Sequence, residues 1–259
     1  MAFIFKKRVS PPAAFTAPEV RLKDVTFGYD GKPLFKDFNF TIPAGRWTCL
    51  LGPSGCGKST LLQMISGSLN QEISGLIQIG GQPRQRGQIS WMAQKDLLLP
   101  WLSVMENVLL GARLRNTLGR ENRQQALGLL QEVGLGDHGQ AYPDSLSGGM
   151  RQRVALLRTF MEGRPVILMD EPFSALDALT RLKLQSLAAQ LLRGLTVLLV
   201  THDPWEALRL GHQIVIIRER PVRLSYVFSP PGNPPRPPGQ EKSAPMYQQL
   251  LAQLAEKEA

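Results

Sequence analysis

The stretch Gly52-Pro53-Ser54-Gly55-Cys56-Gly57-Lys58-Ser59 constrains this chain more than any other. The apolar run Trp47–Leu51 precedes it and the helically spaced Thr60–Ser66 follows it, which is the strand, loop and helix order of a phosphate-binding loop. Glycines let backbone N–H groups turn inward around phosphate oxygens, and the helix beyond presents its positive end to the same anion. Lys58 is then expected to reach the β and γ phosphates, Ser59 to offer its hydroxyl to Mg²⁺, and Thr60 to extend the motif. A plain glycine turn would explain the glycines but not the whole pattern in this setting. Cys56 reads as a small filler whose oxidation or alkylation should block nucleotide entry.

A second element is Val166-Ile167-Leu168-Met169-Asp170-Glu171, an apolar strand ending in two acids. At the carboxyl edge of a sheet Asp170 can hold Mg²⁺ through water while Glu171 polarises an attacking water. Two such acids are often only solvated, and the phosphate loop in the same chain argues against that here. The loop by itself admits kinases, GTPases and helicases, so the class has to be decided elsewhere.

Composition narrows the field. With 259 residues, 43% of them hydrophobic and 20% charged, the chain can bury a substantial core and is neither a disordered tail nor a fibre. Two cysteines, Cys49 and Cys56, are too few for a disulfide framework and favour a reducing compartment. No run approaches the ~20 apolar residues of a spanning helix. The net charge of +9 comes from scattered basic residues, with short clusters at Lys6–Arg8, Arg84–Arg86 and Arg218–Arg223. No basic stripe interleaved with aromatics is present, so no nucleic-acid partner is expected.

Periodicity gives the organisation. Val20, Leu22, Val25 and Phe27, then Phe38–Ile42, predict two early strands, and 76–79 with 88–92 predict a further strand pair. Between Asp96 and Phe160 the spacing turns helical, with Val104, Val108, Ala126, Leu127, Leu129, Leu130, Val133, Val154, Leu157 and Phe160 on inner faces. Strands return at 166–169 and 197–200 around a helix near 179–192, the alternation of a doubly wound α/β core. Residues 1–18, with Phe3-Ile4-Phe5 before Lys6-Lys7-Arg8, read as a loose tail that an acidic membrane face could attract. Residues 19–220 read as one nucleotide-binding domain with a helical subdomain at about 96–160. Residues 221–259 read as an extension, with Pro230–Pro238 a stiff linker and Leu250, Leu251 and Leu254 on one side of a short helix at 246–257.

Leu146-Ser147-Gly148-Gly149-Met150-Arg151-Gln152-Arg153 resembles the signature of the ABC ATPases, and the other marks of that family follow in order: Tyr29, the phosphate loop, Gln94, Asp170-Glu171, Ser174-Ala175-Leu176-Asp177 and His202. The resemblance covers about Val20 to Arg220. It implies a RecA-like P-loop NTPase core with an antiparallel β subdomain and a helical insert. It implies that cassettes close head to tail as a homodimer, with Ser147, Gly148 and Gly149 of one copy at the γ phosphate of ATP held by the other. Tyr29 would stack on adenine, Gln94 would touch Mg²⁺ or the attacking water, His202 would contact the γ phosphate, and Asp177 would couple the two sites. Tyr29 as a half-buried strand aromatic, Gln94 as a surface amide and His202 as a structural histidine are the plainer readings. Met150 stands where the family usually has glutamine.

In this family the cassette drives a separate integral membrane permease. The stretch Leu97–Val108, with Leu-Pro-Trp-Leu-Ser-Val, resembles importers of the nitrate, sulfonate and taurine group, which includes carriers of a thiamine pyrimidine precursor. An apolar docking patch is implied there, against packing of Trp101 and Leu102 inside the insert. The implied setting is peripheral, on the cytoplasmic face of the inner membrane, with an extracytoplasmic solute-binding protein in the same system. The ATPase subunit of a split exporter is the alternative. A DNA-repair or translation-type ATPase would need a coiled-coil insertion or a second cassette, and a noncatalytic module would lack Glu171 or His202.

Overall fold

The computed structural model describes residues 17–218, 220–238 and 243–255, so the expectation of a loose amino-terminal tail lies, up to position 16, outside the described residues. The described chain divides into two compact units.

The first unit, residues 16–91, 165–171 and 193–259, carries two sheets. Strands β1 (Val20–Tyr29), β2 (Lys32–Ile42), β4 (Ser74–Ile79) and β5 (Gln82–Pro83) form a four-stranded sheet in the order β2-β1-β4-β5. Its strands run antiparallel, and β1 pairs with β2 from Val20 opposite Ile42 to Tyr29 opposite Lys32. The alternation of Val20, Leu22, Val25 and Phe27 puts all four in the core, but it slips one position at Asp24, where the backbone is left-handed at φ 50°. The Asn39 side chain accepts from the Asp24 N–H at 3.1 Å and donates to its carboxylate at 3.0 Å, holding that bulge.

The larger sheet has the order β10-β9-β3-β8-β7-β6, with β3 (Trp47–Leu51), β6 (Ile89–Met92), β7 (Val166–Asp170), β8 (Thr196–Val200), β9 (Gln213–Arg218) and β10 (Arg223–Phe228). Its centre is parallel: β3 pairs with β8 and β9, and β7 with β8. Central parallel strands are covered on both faces, which is why β3 and β8 are mostly apolar and buried along their whole length rather than alternating. Helix α1 (Lys58–Ser66) lays Leu61, Leu62, Met64 and Ile65 into a core shared with Phe35, Phe38, Phe40, Leu50, Leu168, Leu198 and Val215. Fully burying a side chain such as Phe35 is worth ~2–3 kcal/mol.

Two expectations change here. Segments 76–79 and 88–92 are both strands but not a pair: β4 belongs to the antiparallel sheet, and the intervening two-residue β5 is its neighbour, while β6 lies at the edge of the parallel sheet. The Pro-rich segment, expected as a stiff linker, is also docked onto the fold. Arg236 is buried, and its guanidinium donates to the carbonyls of Leu208, Gly211, Pro230, Pro231 and Gly232, tying the segment to the end of α7 (Pro204–Leu210). Helix α8 (Ser243–Ala255) then packs on α7, with Tyr247 stacked on Trp205 at 4.3 Å and Leu250 buried. Leu251 faces outward, 42% exposed, so the three leucines do not share one buried side.

The second unit holds, among the described residues, 92–164 and 172–192. It contains α2 (Val104–Val108), α3 (Leu110–Leu114), α4 (Arg120–Glu132), α5 (Gly148–Met161) and α6 (Ala178–Leu191). Val104, Val108, Ala126, Leu129, Leu130, Val154, Leu157 and Phe160 are buried as their spacing predicts, whereas Leu127 points outward. Ser103 and Glu106 form a capping box that starts α2. Asp177 caps α6 by accepting from the Thr180 N–H at 3.1 Å, and the Thr180 side chain, then that N–H, hold its carboxyl below the usual aspartate range.

Candidate nucleotide site

Three neighbouring strands of the parallel sheet deliver the site residues from their carboxyl ends. β3 runs into the loop Gly52–Gly57, β7 ends in Asp170-Glu171, and β8, which lies between them, ends at Thr201-His202. This adjacency is a property of strand order, and the carboxyl edge of such a sheet is where α/β folds place ligands.

The loop is built for close approach. A Cβ on Gly52 would stand 2.6 Å from the Ile217 carbonyl oxygen, and Gly55 and Gly57 take left-handed φ values of 77° and 101°. Gly57 caps α1 without any side-chain bond, so no capping side chain competes for the first-turn N–H groups of that helix. Lys58 is buried and its Nζ donates to the carbonyls of Gly52 and Pro53, each at 2.8 Å, which holds the cation beneath the loop. Burial raises the Cys56 thiol pKa, an effect partly offset by the Lys58 ammonium, two backbone N–H groups and Arg220.

The Ser59 hydroxyl donates to the Asp170 carboxylate. Burial pushes the Asp170 pKa up, with the Ser59 bond and Lys58 pulling it down and Glu171 adding to the rise. Glu171 has a left-handed backbone at φ 45°, its N–H donates to the Val200 carbonyl at 2.9 Å, and its Oε2 lies 3.0 Å from Nδ1 of His202. Such a conformation costs a non-glycine residue ~1–3 kcal/mol. Tyr29, 43% exposed, packs edge-on against Phe27 at 5.0 Å. Tyr29, Ser54, Gly55, Gly57, Lys58, Ser59, Thr60 and Glu171 line one open cleft of about 860 Å³, together with Lys32 and Arg220. That volume suits a nucleotide-sized ligand.

Among the described residues no cluster of three or more His, Cys, Asp and Glu could by itself cage a metal. The Ser59 hydroxyl and Asp170 carboxylate are hard oxygen donors too few to complete a coordination shell, which fits Mg²⁺ bound jointly with phosphate oxygens.

The remaining expected residues lie in the helical unit. Ser147 caps α5 by accepting from the Met150 N–H at 3.3 Å, and Ser147 and Gly148 are exposed. Gly149 is required by packing, since a Cβ there would come within 2.8 Å of Thr180 Cγ2 on α6. Gln94, just beyond β6, is exposed and its amide donates to Ser174 Oγ at 3.5 Å. Asp96 and Leu97, next in the chain, are held by α5: Arg151 donates to the Asp96 carboxylate at 3.0 Å, and Arg158 donates to the carbonyls of Asp96 and Leu97. Leu97 is 60% and Trp101 69% exposed, so Trp101 does not pack within the insert. Sequence reasoning missed Lys32 and Arg220 on the cleft wall; Arg220 belongs to a basic cluster visible in the sequence, but nothing local ties it to the loop.

A parallel sheet with a phosphate loop after one strand and an Asp-Glu pair after another defines a P-loop NTPase, and the comparisons narrow it to the ABC type. The family model described as ABC transporter matches residues 35–174. The chain is 44% identical over 240 residues to an uncharacterized ABC transporter ATP-binding protein of Haemophilus influenzae, covering 91% of this chain and 98% of that protein. It is 40% identical over 246 residues to the aliphatic sulfonates import ATP-binding protein SsuB 2 of Xanthomonas axonopodis pv. citri, covering 93% and 81%. A solved structure of an ATP-binding subunit of an ABC transporter superposes with TM-score 0.73 at 25% identity, covering 92% of this chain and 99% of that one. The chain belongs to the ABC transporter ATP-binding proteins, and it is an ATPase. The sulfonate relatives fall in the importer group that the Leu-Pro-Trp-Leu stretch resembles.

Proposed function

We propose that this chain is the ATP-hydrolysing subunit of an importer, working as a homodimer on a separate membrane permease. The observation that carries the reading is the convergence of Lys58, Ser59, Asp170 and the Glu171–His202 pair at the ends of neighbouring strands. Tyr29 offers a ring for the adenine face, and the loop N–H groups with Lys58 take the phosphates. Ser59 and Asp170 would hold Mg²⁺, which supplies positive charge to the phosphate oxygens. Glu171 accepts the proton of the attacking water, and His202 orients that carboxylate. Ser147 and Gly149 of the second copy donate to the terminal phosphate, so that ATP joins the dimer and its cleavage releases it. Gln94 keeps the role the resemblance implies, tested by Gln94→Ala.

Leu97, Pro100 and Trp101 provide the apolar patch on which a permease helix docks. Among the described residues no helix is long and apolar enough to cross a membrane, which is consistent with peripheral attachment through that partner. The named relatives support a sulfonate-like cargo; in this proposal an extracytoplasmic binding protein delivers it, with nitrate, taurine and pyrimidines as the alternative cargoes. The test is affinity purification from detergent-solubilised membranes, identification of the permease, and uptake into proteoliposomes. ATP-dependent sulfonate import, lost in Trp101→Ala, is expected. Outward transport, or a complex without a permease, refutes the reading.

A further inference from the structure

We propose that Arg220 is a positioning residue of the nucleotide site, holding the phosphate loop open for the polyphosphate. The inference rests on reading the cleft as the ATP site. Arg220 lies beyond β9, outside every motif that marks the site in sequence, yet its Nη2 donates to the Gly55 carbonyl at 2.6 Å and its side chain lines the cleft. The chain just beyond Arg220 is anchored at Val222. The Val222 N–H donates to the Leu34 carbonyl at 2.7 Å, and Val222 Cγ2 stands 3.3 Å from where a Cβ on Gly57 would be, so the backbone under Arg220 is sewn to β2 and to the loop.

A trans peptide is planar, and its C=O and N–H point to opposite sides. With the Gly55 oxygen drawn outward by the guanidinium, the N–H of Cys56 in the same peptide is turned inward. Its bond inside the turn, to the Pro53 carbonyl, is 3.4 Å long, at the weak end of the range, so that donor can be given up to a stronger acceptor. An anionic phosphate oxygen is such an acceptor. The arginine also adds a positive charge to a cleft lined by Lys32 and Lys58 as well as by Asp30 and Glu171. Both effects act on phosphate and neither on the base, so the contribution should grow with the number of phosphates.

The experiment is calorimetric titration of ATP, ADP and AMP into the Glu171→Gln protein and into the same protein carrying Arg220→Ala or Arg220→Lys. Arg220→Ala should weaken ATP about tenfold, ADP less, and AMP least, as expected for losing one charge-assisted contact. Arg220→Lys should recover part of the ATP affinity, because the charge returns without the guanidinium fork. Unchanged ATP affinity overturns the proposal, and so does an equal loss for all three nucleotides, which a general disturbance of the fold would give. If the parent itself binds no ATP, the reading of the cleft fails and this inference with it; normal parent binding with an indifferent Arg220 refutes this inference alone.

Discussion

Replacing Glu171 by glutamine isolates the chemical step. Glutamine keeps the Cβ and the chain length, so the left-handed backbone at φ 45°, the N–H bond to Val200 and the contact with His202 can all persist. What disappears is the negative charge and the ability to take a proton. General-base catalysis is worth ~10²–10⁴-fold, so the barrier should rise by ~3–5 kcal/mol. The assay is steady-state phosphate release beside nucleotide binding and sizing. Turnover should fall into that range, ATP affinity should hold, and the dimer should accumulate. His202→Ala made in the same background adds a check: if the two side chains act as one unit, the double variant should lose little more than Glu171→Gln alone. Turnover within about twofold of the parent would refute the assignment of Glu171 as base.

Three further outcomes are expected. Gly149→Ala drives a Cβ to 2.8 Å from Thr180 Cγ2 and should cost ~1–3 kcal/mol in urea unfolding; Thr180→Ser, which removes that methyl, should restore most of it. Arg236→Ala abandons five buried or half-buried carbonyl partners and should lower stability by ~2–4 kcal/mol, with Arg236→Lys a poor substitute because three donors cannot serve them. Burial, then Arg46 and Arg236, hold the His212 pKa below its ordinary value, and its Nδ1 accepts from the Trp47 N–H at 3.0 Å, so the folded state keeps this imidazole neutral. Below pH ~6.5 the unfolded chain binds that proton more readily, so the melting temperature should fall as pH drops through this point and less steeply in His212→Gln.

Much of this was legible in the residues because it is local. The loop Gly52–Ser59 declares itself by glycine spacing, β3, β7 and β8 by unbroken apolar runs, and α5 by its serine cap and helical period. Strands β9 and β10 were not foreseen, although Ile214-Val215-Ile216-Ile217 is the kind of run that marks a buried strand. The Pro-rich segment misleads for a different reason. Proline content speaks to stiffness, while the docking of the segment depends on one arginine meeting carbonyls at the end of a helix far back in the chain.

The sequence alone determined the nucleotide chemistry, since backbone N–H groups, a lysine and two acids at set spacing need only a strand and a helix around them to be recognised. Tertiary structure decided which ends meet: that β8 lies between β3 and β7, that His202 therefore stands 3.0 Å from Glu171, and that Arg220 reaches Gly55. Periodicity reports which face of an element is buried. It carries no information on strand order, because order is chosen by the packing of the whole core.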